Sequence, residues 1–296
     1  MRRWIFGGLL AGFPCLGVAQ APPGTDVFVV DLKVGAGGVV VGAPVNLTRR
    51  PGYDNQPGFA PDGRSVFYTS TRDGGPNGTT QSDIFRIDLA TGRAVPFIQT
   101  PESEYSAAVI PGGREVAVIR VELDSTQRLW AFPLAGGEPR VLLPRIKPVG
   151  YQAWLDPSTV GMFVLGSPAT LQVGNAATGE AKVLLADIGR AVQRSPGKRA
   201  ITVSHRVSEN TWWAVDVDVE TAAVTPIVKL PAGADYFVWL PDRSLLTAAG
   251  SVLHRFRPGV DPDWIKVATL AGARSISRLA LSPKGSQLAF VAEDAP

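Results

Sequence analysis

The chain has 296 residues, of which 45% are hydrophobic and 19% charged, enough for one large domain or two small ones. Its 32 glycines and 25 prolines mark many turns but fall short of a disordered, low-complexity composition. The formal charge is +3, about +1 once Arg2 and Arg3 are set aside, and no Lys/Arg run exceeds two residues, so neither a nucleic-acid surface nor an anionic-membrane surface is indicated.

Met1-Arg2-Arg3 is a short positive start, followed by an apolar stretch from Trp4 to Val18. Ala19-Gln20-Ala21 is a small-x-small cleavage site. This pattern predicts a secretory signal peptide over 1–21, hence a periplasmic or secreted protein of bacterial style. The apolar run is broken by Pro14 and is too short to span a bilayer, so no membrane span is expected in the mature chain, 22–296. Cys15 is the only cysteine and lies inside the signal, so the exported chain is expected to fold without disulfides.

After the signal, helical periodicity is absent. Short β-branched and aromatic runs recur instead, bounded by Gly, Pro, Asp and Asn, which predicts an all-β fold. One clear unit begins at Tyr53. YDNQPGFAPDGRSVFYTSTRDG reads as two strands joined at Pro61-Asp62-Gly63, and SDIFRIDLATGRAVPFIQT as two more joined at Ala90-Thr91-Gly92. Asp-Gly and Thr-Gly supply the positive-φ positions that tight hairpins demand.

The first half of that unit recurs from Glu104, Gly150, Gly189, Asp235 and Ser275, with a proline at one place in each copy: Pro61, Pro111, Pro157, Pro196, Pro241 and Pro283. The steps run from about 39 to 50 residues, the range of propeller blades. The second half recurs as RLWAFPL, TLQVGNA, WWAVDVD and VLHRFRP, and its sixth copy, DVFVVDL at Asp26, stands at the start of the mature chain. The chain therefore begins with the outer strands of a blade and ends with the inner strands. The expected fold is a single-domain, six-bladed β-propeller of four-stranded antiparallel blades. Its N-terminal outer strands pair with its C-terminal inner strands and close the ring, which hides edges that would template aggregation.

The unit resembles the TolB-type, WD40-like propeller repeat. The resemblance is carried by Pro61, Asp62, Gly63, Ser70, Arg72, Asp73, Gly74, Asp83, Ile84, Phe85, Asp88, Thr91 and Gly92, and in the last half-blade by Ser282, Pro283 and Gly285. The middle blades drift, Pro157-Ser158 and Pro241-Asp242-Arg243 keeping only part of the turn. TolB-like translocation proteins carry an α/β domain before the propeller and the prolyl-oligopeptidase family an α/β-hydrolase domain after it; with only Pro22 to Thr25 before the first strand and about a dozen residues after Pro283, a stand-alone propeller is expected here.

Catalytic signals are sparse. There is no Gly-x-Ser-x-Gly elbow and no cysteine beyond the signal. The two histidines, His205 and His254, fall in different blades, too few for the His-rich metal site of propeller-type oligogalacturonate lyases, which the repeat also resembles. Asp216, Asp218, Asp261 and Asp263 lack the spacing of a calcium loop, so no metal or other cofactor is expected. Asp54, Glu104 and Asp235 fall at nearly equivalent places early in three innermost strands and form a possible acid/base set.

Innermost strands line the tunnel of a propeller. Counting back from the repeat proline places Asn55, Tyr105, Tyr151, Arg190, Asp235 and Ser277 in one ring, and Gln56, Ser106, Gln152, Ala191, Tyr236 and Arg278 in the next. Tyr, amide, Arg and carboxylate side chains at one mouth predict a recognition surface, with Asn55, Gln56, Tyr105, Tyr151, Gln152, Arg190, Asp235, Tyr236 and Arg278 as its ligand-binding residues. The expected function is a monomeric, non-enzymatic binding module for a protein, peptide or small ligand. The alternative is a tunnel-mouth hydrolase or lyase acting on a carbohydrate or small ester.

Overall fold

The computed structural model describes residues 24–35, 37–72 and 80–293, so the signal segment 1–21 and Asp73-Gly74 of the repeat lie outside the described residues. Every regular element among the described residues is a β-strand, and no helix is long and apolar enough to cross a membrane.

The strands form six antiparallel sheets, each one blade. The first blade runs outward through Asp54–Phe59, Ser65–Arg72, Gln81–Asp88 and Ala94–Ile98. The second to fifth repeat that order from inner strands Ser103–Val109, Val149–Trp154, Ile188–Arg194 and Phe237–Trp239. The sixth is assembled from both ends of the chain. Its inner pair is Ser277–Leu281 and Gln287–Glu293, and Thr25–Gly35 lies against the latter in register from Thr25↔Glu293 to Asp31↔Gln287. The outer edge of Thr25–Gly35 is paired in two parts, by Val45–Asn46 and by Gly38–Val41. This is the closure that the displaced half-repeat implied.

Alternation along each strand puts apolar side chains on both faces of a blade, where they meet the next blade. The result is six apolar clusters, one in each of the six gaps between successive blades. The sixth blade is held on both sides. Leu279, Leu288 and Phe290 pack with Val238 and Leu246 of the fifth blade, and Val27, Ala289 and Val291 pack with Val66 and Tyr68 of the first. Thr25 also bridges to the first blade: its N–H donates to Gly52 O at 2.8 Å and its hydroxyl to Asp54 O at 3.0 Å.

The repeat proline marks the turn between the first and second strands. Gly63, Gly113, Gly197 and Gly285 adopt φ near +70° there. In the fifth blade Arg243 takes φ +62° at that place, a conformation costing a non-glycine residue about 1 kcal/mol. The third blade uses a shorter turn in which Asp156 Oδ1 accepts the N–H groups of Ser158 and Thr159. Asp62 acts in the same way, accepting the Arg64 N–H at 2.9 Å.

Candidate functional site

The six inner strands converge on a central cavity of about 670 Å³, open at its mouth and lined from every blade. Regular alternation would send the same positions inward in each blade, but five inner strands are interrupted. The ladder slips between Asn55 and Gly58, Tyr105 and Ala108, Val149 and Tyr151, Ile188 and Val192, and Ser277 and Ala280. In three of these bulges a non-glycine residue sits in the left-handed region: Gln56 at φ +54°, Ser106 at +54° and Arg278 at +55°. The bulges select which residue of each pair reaches the channel.

Arg278 is the centre of the mouth. Its guanidinium lies 4.5 Å from the ring centroid of Tyr236 in the fifth blade and 4.9 Å from that of Tyr151 in the third. Two aromatic faces thus hold one cation, an arrangement suited to the planar guanidinium. Its Nε donates to Asn55 Oδ1 at 3.2 Å, while Nη1 is buried without a partner. The Tyr236 hydroxyl and Ser106 Oγ are also buried and unpartnered. Tyr53 stands beside this group. Burial pushes its hydroxyl up to about 12, against the opposing pull of Arg278, with Tyr151, Tyr105 and Arg190 also near enough to act on it.

The amide side chains at the mouth are engaged. Gln56 Oε1 accepts from the Thr69 hydroxyl at 2.9 Å and from the Ser106 N–H of the second blade at 3.1 Å. Gln152, in the third blade, donates through Nε2 to the carbonyls of Ser106 and Ala117 in the second, both at 3.0 Å, and accepts from Trp154 Nε1 at 2.7 Å. Asn55 is buried and ties the first blade to Arg278 and Thr25 of the sixth. These three amides form a belt across blades six, one, two and three. Gly58 lies under that belt, where an added Cβ would sit 2.7 Å from the Ala107 carbonyl oxygen.

Of the nine residues read from the sequence, Gln56, Tyr151, Gln152, Arg190, Tyr236 and Arg278 line the central cavity. Asn55 supports it from behind, and Tyr105 lines a smaller adjoining cavity together with Gln56, Tyr151 and Arg190. Asp235 does not line the channel. It is exposed just before Phe237–Trp239 and borders a groove between the fourth and fifth blades, with Trp212, Trp213, Trp264 and His254. Tyr53 was not singled out, although it opens the clearest repeat unit. Arg194 was also missed; it reaches the cavity four positions along the strand from Arg190.

The carboxylates considered for acid–base work lie elsewhere. Asp54 and Glu104 are fully buried. Asp54 Oδ1 accepts from Ser70 at 2.6 Å and from Arg50 at 3.0 Å, yet burial raises its pKa. Glu104 Oε1 accepts from Thr100 at 2.5 Å and lies 3.3 Å from Arg120 Nε, and burial pushes it up to about 7. Neither lines the channel. Asp216 accepts from Ser195, Thr202 and Lys198, Asp218 caps a turn through the Glu220 and Thr221 N–H groups, and Asp261 pairs with Arg257. Among the described residues no group of three or more His, Cys, Asp or Glu is arranged to hold a metal ion.

No family model matches the chain. A 30-residue segment is 60% identical to the Tol-Pal system protein TolB of Bordetella pertussis; it is 10% of this chain, and the match spans only 7% of that relative's length. Among solved structures, a putative TolB from Agrobacterium tumefaciens superposes with a TM-score of 0.71 at 14% identity, over 93% of this chain and all of that one. An oligogalacturonate lyase in complex with manganese gives 0.56 at 15% identity, over 85% of this chain and 80% of the other. TolB from Acinetobacter baumannii gives 0.55 at 13% identity, over 91% and 64%. At these identities the likeness is one of fold. By architecture and ring closure alike, the chain is a six-bladed β-propeller, similar in fold to these TolB structures.

Proposed function

We propose that the chain is an exported binding propeller that recognises a protein or peptide at the mouth of its central channel. The observation that carries this reading is the Tyr151–Arg278–Tyr236 stack, which brings side chains of three blades together over a cavity of about 670 Å³. Tyr and Arg dominate binding hot spots because they offer large contact area and directed hydrogen bonds at small entropic cost. A cavity of this size accepts a few residues of an extended segment or a small ligand. The TolB-like neighbours support a binding propeller, and the charged start, apolar run and Ala19-Gln20-Ala21 site support export. A hydrolase or lyase reading asks for acids at the mouth, and Asp54, Glu104 and Asp235 do not line it.

Selection of displayed peptides on the purified chain tests the binding reading. Enriched peptides should lose binding to the Y151A and Y236A variants while those variants keep the wild-type circular dichroism. Enrichment of peptides that bind wild type and both variants equally would place recognition elsewhere. Fusing residues 1–30 to an alkaline phosphatase that is active only outside the cytoplasm tests export; an inactive fusion would remove the signal peptide.

A further inference from the structure

We infer that the channel mouth is an anion site, and that the groups it receives are the side-chain carboxylates of an acidic peptide segment. This rests on the binding reading above and narrows it. Three observations point the same way.

The first is charge. The cavity is lined by Arg190, Arg194 and Arg278 and by no aspartate or glutamate. None of the three forms an ion pair among the described residues. The more buried arginines elsewhere are matched, Arg120 with Glu102 and Glu104 and Arg255 with Asp242, whereas Arg278 at the mouth is not. Asp235 shares a small side cavity with Arg190, and no ion pair joins the two among the described residues. Arg278 has no such neighbour among the residues lining its cavity. A cationic recess with low-dielectric walls concentrates anions.

The second is hydrogen-bond balance. The amide oxygens of Asn55, Gln56 and Gln152 are already occupied by protein donors. What remains unpartnered is Arg278 Nη1, the Tyr236 hydroxyl and Ser106 Oγ. The two hydroxyls can donate or accept, whereas the Arg278 N–H can only donate and has no acceptor. A carboxylate supplies that acceptor together with the matching charge.

The third is preorganisation. The rings of Tyr151 and Tyr236 and the bond to Asn55 fix the Arg278 plane before any ligand arrives. A guanidinium held in this way loses little freedom when it engages a carboxylate through its fork.

Fluorescence anisotropy with labelled, acetylated hexaglutamate and hexaglutamine tests the inference. Hexaglutamate should bind about tenfold or more tightly than hexaglutamine at low salt, since charge-assisted bonds are about twice as strong as neutral ones. The preference should shrink as salt rises. R190A removes an exposed side chain with no partner and should weaken hexaglutamate several-fold with the fold unchanged. R278K keeps the charge but loses the fork and should weaken it further, with circular dichroism confirming the fold.

Equal affinity for the two peptides would overturn the anion site and leave the peptide-binding reading standing. Hexaglutamate binding indifferent to R190A and R278K would overturn the placement at the mouth. Displacement of hexaglutamate by trigalacturonate at equal concentration would assign the site to acidic sugars, against the inference. If hexaglutamate does not bind while selected peptides bind in a Tyr236-dependent way, the inference fails alone. If neither binds, the functional reading fails with it.

Discussion

Glu104 offers a test of the packing at the start of the second blade. Its side chain is fully buried, its Oε2 has no hydrogen-bond partner, and its Oε1 must share Arg120 with Glu102, whose Oε2 is 2.5 Å from Arg120 Nε. Burial therefore outweighs the Thr100 bond and the Arg120 charge, and the carboxyl titrates at about 7, against 4.5 when unperturbed. Between those limits the folded chain holds a proton that the unfolded chain has released. The contribution of Glu104 to stability is then fully present below pH 4.5 and is lost as pH rises through 7. The loss amounts to about 3 kcal/mol across that window. Glu104→Gln keeps an acceptor for the Thr100 hydroxyl and removes the titration. The unfolding free energy of the variant minus that of wild type should rise by about 3 kcal/mol from pH 4.5 to pH 8, a relative shift of about 1 M in the urea midpoint for an m-value of about 3 kcal/mol/M. Asp54 also carries a raised pKa, but it contributes equally to both proteins and cancels in the difference. Urea unfolding at a series of pH values measures this directly. Parallel stability curves for wild type and variant would refute the assignment of Glu104 as a buried, largely protonated acid near neutral pH.

Two further perturbations probe the ring and its belt. Phe290 is fully buried in the closing blade and stacks on Phe28 at 5.4 Å with an interplanar angle of 11°, so Phe290→Ala should cost about 3–5 kcal/mol in urea unfolding. A loss below about 1 kcal/mol would show that the two termini do not depend on each other for their packing. Gln152→Ala removes two bonds to second-blade carbonyls and leaves Trp154 Nε1 unpartnered, an expected cost of about 2–3 kcal/mol by the same measurement, with no loss if the amide belt is ornamental.

The ring was legible in the sequence because its punctuation is chemical. A proline followed by a residue at positive φ marks the inner turn of five blades, and a Thr-Gly or its equivalent marks the outer hairpin. Asp88, Asn175 and Asp218 each accept the N–H groups two and three residues on, with Gly92, Gly179 or Ala222 closing the turn. Where the pattern drifted, another device took over: Arg243 tolerates the glycine conformation, and Asp156 organises the shorter third-blade turn. The order of half-repeats then dictated closure, since only one pairing of the two ends completes a sixth sheet.

The channel was only partly legible, for a definite reason. Counting positions from the proline assumes an unbroken alternation, and five inner strands break it with bulges that carry no sequence signature. Past a bulge the inward and outward sets exchange. Gln56, Ser106 and Arg278 therefore reach the lumen while Asn55 turns into the wall. Asp235 escapes by a different route, because it precedes its strand and follows the loop toward the fourth blade. Composition likewise could not show that the glutamines at the mouth are consumed by neighbouring blades.

The three strained positions deserve to be taken together. Left-handed geometry at a non-glycine residue costs about 1 kcal/mol or more each, and nothing in closing a four-stranded blade requires it, since the inner strand of the fifth blade pairs without a slip. Gln56 and Ser106 recover that cost through the bonds that tie the first blade to the second and the second to the third. Arg278 shares the geometry but makes no bond to its own second strand or to the fifth blade; its Nε reaches Asn55 and its faces meet two tyrosines. The same backbone device that builds the wall at two blades presents a guanidinium to the lumen at the third. Arg278 also ties its blade to the first through Asn55, so on the binding reading proposed above its substitution should cost ligand affinity and some inter-blade stability together.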